Sequence, residues 1–273
     1  MENGTITYVQ SLREDLGIFR VTPENGVPDF KAGQFLTLGL PLESKIVNRA
    51  YSIASSPENK KFFEFVIRWV RRPLPGRLTS LLFNAKVGDK ISWAKPAGNL
   101  TINNTLASGE KDTRRIVCIG GGTGLAPFVS FAQHLHDTND KREIVVLHGA
   151  SYVDELSYKQ LLTDLENESI DKGKDKWNFK YRAAISRPEE WTNRAWNGHK
   201  GRIEQFLRSN DAGKSPLDEL VGEKITKDNT MFYVCGWQGT IDGTMDYLKT
   251  KNFVTEKNKR EDGSYEVKFE SYG

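Results

Sequence analysis

The chain has 273 residues, 37% hydrophobic and 27% charged, an ordinary globular composition and long enough for two separate cores. No run approaches the roughly 18 uninterrupted apolar residues of a membrane helix. The start, Met1-Glu2-Asn3-Gly4, lacks the basic and apolar stretches of a secretory signal, and two cysteines are too few for an all-cysteine iron–sulfur cluster. The expectation is a cytoplasmic monomer without a metal, a membrane span or a nucleic-acid partner, with Cys118 and Cys235 reduced. The net charge of +3 is uneven: residues 1–105 carry 14 Lys/Arg against 9 Asp/Glu, and the remainder 25 against 27. A basic front half suits an acidic partner or a phosphate-bearing ligand.

In chain order, residues 5–9, 17–21, 34–38, 50–54, 62–70 and 90–93 are short runs rich in β-branched and aromatic residues, separated by turns such as Pro23-Glu24-Asn25-Gly26. They predict an antiparallel β-barrel, with one helix over 78–84 after Pro75-Gly76. Residues 103–113 are polar and predict a linker. Beyond it, strands (115–119, 144–148, 179–185, 231–234) alternate with helical patterns (126–136, 155–166, 202–208, 243–251). Such alternation predicts a doubly wound parallel α/β domain. The fold class is thus α+β with two domains, 1–105 and 113–273.

The first α/β strand runs directly into Gly120-Gly121-Gly122-Thr123-Gly124, with Pro127 at the start of a helix. Glycines allow close backbone approach, and a helix start offers free N–H groups, a combination suited to a pyrophosphate. Leu125 stands where G-x-G-x-x-G would have its third glycine, and a P-loop's Gly-Lys-Ser/Thr is missing. The second strand ends in His148-Gly149-Ala150-Ser151, without an acid for a ribose 2′-hydroxyl. The third ends in Ser186-Arg187, and Arg202 follows Gly201; a hydroxyl and two guanidinium groups suit a 2′-phosphate. A tight structural turn and a solvated Ser-Arg pair are the plainer readings.

Four motifs, Arg49-Ala50-Tyr51-Ser52-Ile53, Gly76-Arg77-Leu78-Thr79-Ser80-Leu81, the glycine turn through Pro127, and Val234-Cys235-Gly236, occur in the order of the ferredoxin–NADP reductase family. The chain resembles that family, its bacterial type most, over about residues 5–273. The resemblance implies FAD in the barrel domain and NADP(H) in the α/β domain. It implies that Arg49 contacts the FAD pyrophosphate, that Tyr51 lies against the isoalloxazine or bonds the ribityl chain, and that Ser52, followed by Ile53, sits near flavin N5. Gly76, Leu78, Thr79 and Ser80 form the second flavin loop, and Val66, Ile67 and Arg68 contact the flavin through their backbone. Gly121, Gly122, Thr123 and Gly124 take the NADP pyrophosphate. Ser186, Arg187 and Arg202 take the 2′-phosphate, with Arg194 and Lys200 as substitutes should the longer segment 191–200 displace Arg202. Cys235 and Gly236 flank the nicotinamide, and Tyr272, ahead of Phe269, stacks on the flavin. Ser52, Tyr51, Cys235 and Tyr272 are the residues placed at the chemistry.

The same resemblance implies an enzyme passing a hydride from NADPH to flavin N5 and single electrons to ferredoxin or flavodoxin, the acidic carrier docking near Arg68, Arg71, Arg72 and Arg77. Three other readings fit: the reductase component of an oxygenase using NADH or NADPH, a non-catalytic flavin-binding regulatory subunit, and a nucleoside-binding transferase.

Overall fold

The computed structural model describes residues 1–71, 73–211 and 213–272; Arg72, expected near the docked carrier, lies outside the described residues. It divides into two compact units, Met1–Ile102 with Ala126–Thr138, and Asn103–Leu125 with Asn139–Gly273.

In the first unit, β1 (Glu2–Arg13) and β2 (Leu16–Pro23) form a hairpin through the two-residue turn Glu14-Asp15. β3 (Phe35–Leu42) and β4 (Lys45–Ser52) form another, whose turn residue Glu43 has a left-handed φ of 55°, as tight hairpins require. With β5 (Phe63–Arg68) and β6 (Lys90–Trp93) the sheet order is β4-β3-β6-β1-β2-β5, every pair antiparallel. The two edges meet where Ala54 N–H donates to Glu64 O at 2.8 Å, closing the sheet into the expected barrel. Its interior is aromatic: Phe63 stands 5.3 Å from Trp93, both essentially inaccessible, and the Trp93 indole N–H donates to Asn3 O. Burying each such ring stabilises the barrel by about 1.5–3 kcal/mol. Helix α1 (Arg77–Asn84) drives Leu78 and Leu82 into this core and packs on β3 and β4. Helix α2 (Ala126–Asp137) bonds the chain just beyond β4, with Ser130 Oγ donating to Ser55 O and Gln133 Nε2 to Ala54 O.

The second unit is a six-stranded sheet in the order β10-β9-β8-β7-β11-β12, every pair parallel: β7 (Arg115–Gly121), β8 (Ile144–Ala150), β9 (Phe179–Ile185), β10 (His199–Lys200), β11 (Thr230–Gly236) and β12 (Val267–Ser271). From β7 the chain winds outward through β8, β9 and β10, then returns to build β11 and β12 on the other side. β7 and β11 are therefore the topological switch point, and their carboxyl ends open a crevice. Strands β7 and β11 are buried throughout, which is why they read as unbroken apolar runs. Val117, Ile119, Val145, Leu147, Phe232 and Val234 share a core with the 3-10 turn Ile203–Leu207, α4 (Pro216–Val221) and α5 (Gln238–Thr250).

Several boundaries differ from expectation. The predicted helix over 155–166 is instead a 3-10 turn, Val153–Glu155, then α3 (Lys159–Lys172), because Tyr158 adopts a left-handed φ of 57° that interrupts the helix. The predicted helix over 202–208 is the 3-10 helix Ile203–Leu207, and α5 begins five residues early. The linker is folded onto the second unit: Arg142 donates to Asn103 O at 2.6 Å and to Asn104 Oδ1 at 3.0 Å, and Asn103 N–H donates to the Tyr233 hydroxyl at 2.8 Å.

Candidate cofactor sites

In the barrel unit, the predicted flavin residues gather at the closing edge. Pairing of β4 with β3 sets Arg49 opposite Leu38, Tyr51 opposite Leu36 and Ser52 opposite Phe35. Side chains alternate along a strand, so Arg49 and Tyr51 share a face. Arg49 is exposed and turned onto Asn48 O at 2.8 Å. Tyr51 is half-buried, and burial pushes its phenol well above the ordinary range, so it remains neutral. Ser52, Ile53 and Ala54 are buried.

Just past β5, Trp69 N–H donates to Asp15 O beside β2, so by antiparallel alternation the main-chain groups of Glu64, Val66 and Arg68 face the other way. Glu64 uses that direction to close the barrel; Val66 and Arg68 present peptide groups beyond the closure, while Ile67 turns its own toward β2. Gly76 caps α1 without a side-chain bond, leaving the first N–H groups of the helix without intrahelical acceptors. Thr79 and Ser80 hydroxyls donate back to Gly76 O at 3.0 and 2.9 Å, and a Cβ on Gly76 would lie 2.5 Å from Thr79 Oγ1. Trp69 donates its indole N–H to Ser80 Oγ, fixing the loop on the helix.

The arginine cluster is less free than expected. Arg68 pairs with Asp15 at 2.9 Å, and Arg71 pairs with Glu14 at 2.7 Å while stacking on Trp69. The β1–β2 turn thus balances two of the charges locally; Arg77 is exposed in the first turn of α1.

In the second unit, the predicted nucleotide residues line the carboxyl edge of the sheet. Glycine is required where β7 meets β11: a Cβ on Gly124 would lie 2.3 Å from Cys235 O, and one on Gly121 2.6 Å from Thr240 Oγ1. Gly122 has a left-handed φ of 57° and opens on free space, and Gly122–Leu125 is a 3-10 turn leading into α2. In register with Gly120, His148 is fully buried, its Nδ1 3.3 Å from the Tyr181 hydroxyl, and burial pushes its pKa down to about 4.

Cys235, Gly236 and Tyr272 do come together. β12 lies in register with β11, Glu270 opposite Cys235 and Ser271 opposite Gly236, and Tyr272 N–H donates to Gly236 O at 3.0 Å. Burial holds the Cys235 thiol far above its usual range, so it is a small neutral group and not a nucleophile. Burial also raises the Glu270 carboxyl.

After the longer segment 191–200 the chain rejoins the sheet immediately before Gly201-Arg202. The chain returns as β10, His199 opposite Ala184 and Lys200 opposite Ile185, and Gly201 N–H donates to Ile185 O at 2.8 Å. Ser186-Arg187 and Gly201-Arg202 therefore leave adjacent strands side by side. Arg187 Nη1 donates to the Tyr152 hydroxyl at 2.8 Å with its guanidinium 5.4 Å from that ring. Arg202 pairs with Glu204 and donates to Gly239 O at 2.9 Å. Arg194 instead stacks on the exposed ring of Trp191 at 3.3 Å.

Residues 3–102 match the family model of an oxidoreductase FAD-binding domain, and residues 118–246 that of an oxidoreductase NAD-binding domain. A ferredoxin–NADP reductase of Azotobacter vinelandii is 30% identical over 247 residues, covering 89% of this chain and 88% of that protein. The chain belongs to the ferredoxin–NADP reductase family. A flavodoxin/ferredoxin–NADP reductase of Shigella flexneri is 28% identical, covering 85% of this chain and 84% of that one. Among solved structures, a ferredoxin NADP+ reductase from Neisseria gonorrhoeae with bound FAD and NADP has the same fold, with a TM-score of 0.77 at 22% identity over 98% of this chain and 97% of that one. As a member of the ferredoxin–NADP reductase family, the chain is an oxidoreductase whose cofactors are FAD and NADP(H). Its residues fit both groups. The uncapped start of α1 and the open edge of β5 offer donors and acceptors to a flavin dinucleotide, and the glycine cradle at β7 would be filled by any Cβ at Gly124.

Some neighbours in these sites carry no sequence signal. Tyr152 supports Arg187 only because two loops meet. Glu155, 8% exposed, reaches back to accept Ser151 N–H at 3.1 Å, so the end of β8 does hold a carboxylate, engaged with main chain. Among the described residues, no helix is long and apolar enough to cross a membrane, and no group of His, Cys, Asp and Glu is arranged to hold a metal.

Proposed function

We propose that this oxidoreductase transfers electrons between NADP(H) and a small acidic one-electron carrier of the ferredoxin or flavodoxin type. The observation that carries the NADP preference is the arginine pair: Arg187 and Arg202 leave adjacent parallel strands beside Ser186, at the end of the sheet remote from β12. Two guanidinium forks and a hydroxyl suit a phosphate dianion and give a bare ribose little. The similarity to named ferredoxin–NADP reductases over most of both chains supports the carrier, as does the surplus of basic residues in the first 105 positions.

Bound FAD supplies the chemistry that side chains lack, accepting a hydride at N5 and releasing electrons singly. The chain binds and orients. Arg49 and the leading N–H groups of α1 (Leu78 and Thr79 after Gly76) neutralise the flavin pyrophosphate, while Ser80 N–H is spent on Gly76 O. Tyr51 offers an aromatic face, Ser52 a small hydroxyl next to Ile53, and Val66 and Arg68 main-chain groups to the ring edge. Gly121, Gly122, Thr123 and Gly124 admit the NADP pyrophosphate against bare backbone. Cys235, Gly236 and Tyr272 bound the nicotinamide end of the crevice, where the neutral thiol takes little room.

Anaerobic stopped-flow mixing tests this reading. NADPH should bleach the flavin much faster than NADH does, and added ferredoxin or flavodoxin should then reoxidise it. A colourless protein, equal rates with both nucleotides, or a reduced flavin that neither carrier reoxidises would each count against it.

A further inference from the structure

The segment between β9 and β10 carries one residue buried far more deeply than a surface loop requires. Asn193, in the 3-10 turn Trp191–Asn193, is 1% exposed. Its Oδ1 accepts Val153 N–H at 2.9 Å, and its Nδ2 donates to Ser151 O at 3.0 Å and to Arg187 O at 2.7 Å. Its own N–H donates to Glu190 O and its carbonyl accepts Trp196 N–H, both at 2.8 Å. Every polar group of the residue is used, and the amide has one orientation only, because two carbonyls face the nitrogen and an N–H faces the oxygen.

These bonds converge on one place. Ser151 and Val153 flank Tyr152, so a single amide pins the backbone on both sides of that tyrosine and also the carbonyl of Arg187. Tyr152 and Arg187 are the two side chains joined by the 2.8 Å bond at the ends of β8 and β9. Asn193 thus fixes the base on which that pair stands, while its own side chain lies beneath the surface.

We propose that Asn193 is a positioning residue for 2′-phosphate recognition: by tying the loops after β8 and β9 together, it sets Arg187 and Tyr152 for the phosphate and makes segment 191–200 part of nucleotide selectivity. The inference rests on Arg187 belonging to the 2′-phosphate subsite. Loss of the tie frees two loops, takes the partners of Ser151 O and Val153 N–H and leaves Arg187 O with Glu190 N–H alone, which weakens a phosphate contact that depends on Arg187 being held.

The test uses the purified flavoprotein with 2′,5′-ADP and 5′-AMP as probes in calorimetric titrations, together with KM and kcat for NADPH. In Asn193→Ala, the dissociation constant for 2′,5′-ADP should rise about tenfold while that for 5′-AMP changes less than about twofold, and KM for NADPH should rise with kcat nearly constant. In an Arg187→Ala background the same substitution should have no further effect on the ratio of the two constants. A merely structural asparagine would lower the melting temperature and leave the ratio alone; that result overturns the proposal, as would additive losses in the double variant. Asn193→Asp keeps the volume and the bond to Val153 while removing both donated bonds, and carries the same expectation if the alanine variant does not fold. In the unmodified protein, 2′,5′-ADP should slow hydrogen exchange at the Val153 amide more than 5′-AMP does, and equal protection refutes the coupling. If Arg187→Ala itself leaves the ratio unchanged, the subsite is wrong; if it changes the ratio and neither Asn193 variant does, only the role of Asn193 is wrong.

Discussion

Replacing Gly124 by alanine would set a methyl carbon 2.3 Å from the Cys235 carbonyl oxygen, 2.5 Å from its carbonyl carbon and 2.7 Å from Gly236 Cα. All three atoms are backbone, so no side chain can swing aside. Ordinary contact needs about 3.4 Å, so the end of β11 must retreat by about 1 Å from the glycine turn, and overpacking of this kind costs about 1–3 kcal/mol. The same retreat displaces Cys235 and Gly236, and a misplacement of about 1 Å at a reacting centre lowers turnover about a hundredfold. Gly122→Ala is the matched control for the rate at saturation: its left-handed φ of 57° costs about 1–2 kcal/mol, but no protein atom stands within 4 Å of the new carbon, so β11 keeps its place and the methyl crowds the NADP pyrophosphate alone, raising KM for NADPH. Both variants should purify with FAD. Thermal unfolding should show comparable losses, whereas the rate of flavin reduction by saturating NADPH should fall about a hundredfold in Gly124→Ala and far less in Gly122→Ala. Equal rates in the two variants would show that the contact between the glycine turn and β11 does not set the nicotinamide end of the crevice.

Arg187→Ala should raise KM for NADPH by about 10–100-fold, the worth of a charge-assisted bond of about 1.5–3 kcal/mol, and leave NADH kinetics nearly unchanged; parallel losses with both nucleotides would remove the arginine from the 2′-phosphate subsite. His148 has a pKa of about 4 in the fold against 6.5 in the unfolded chain. The unfolded chain binds the extra proton, so the stabilisation is complete above pH 6.5 and is lost as pH falls toward 4, by about 2 kcal/mol between pH 7 and 5. Denaturant titrations should show that loss shrinking in His148→Gln, and an identical pH dependence in the variant refutes the assignment. Ser215 caps α4 by accepting Asp218 N–H at 3.0 Å while the Asp218 carboxylate accepts Ser215 N–H at 2.8 Å; Ser215→Ala should lower stability by about 1 kcal/mol without changing KM for NADPH.

The fold class was legible because its strongest signals are local. A parallel strand buried on both faces must be an apolar run, as at Ile116-Val117-Cys118-Ile119, and the turn that follows had to be glycine for backbone to touch backbone. Strand β10 was not legible: His199-Lys200 has no hydrophobic pattern and exists only because β9 offers a free edge. The partners of Arg68 and Arg71 sit in the β1–β2 turn, more than fifty residues away in sequence, so their cluster read as freer than it is. Tyr152, Glu155 and Asn193 matter through the meeting of two loops, which no spacing along the chain encodes. Tyr158 broke the helical pattern by a backbone conformation that tyrosine seldom adopts.

Strand β10 is only two residues long, yet it decouples loop length from address. Because His199 and Lys200 dock on Ala184 and Ile185, the chain resumes at a fixed coordinate however much polypeptide is inserted upstream. Descendants of this scaffold are thus free to lengthen, shorten or recompose the stretch ahead of it while Arg202 still leaves the sheet beside Arg187.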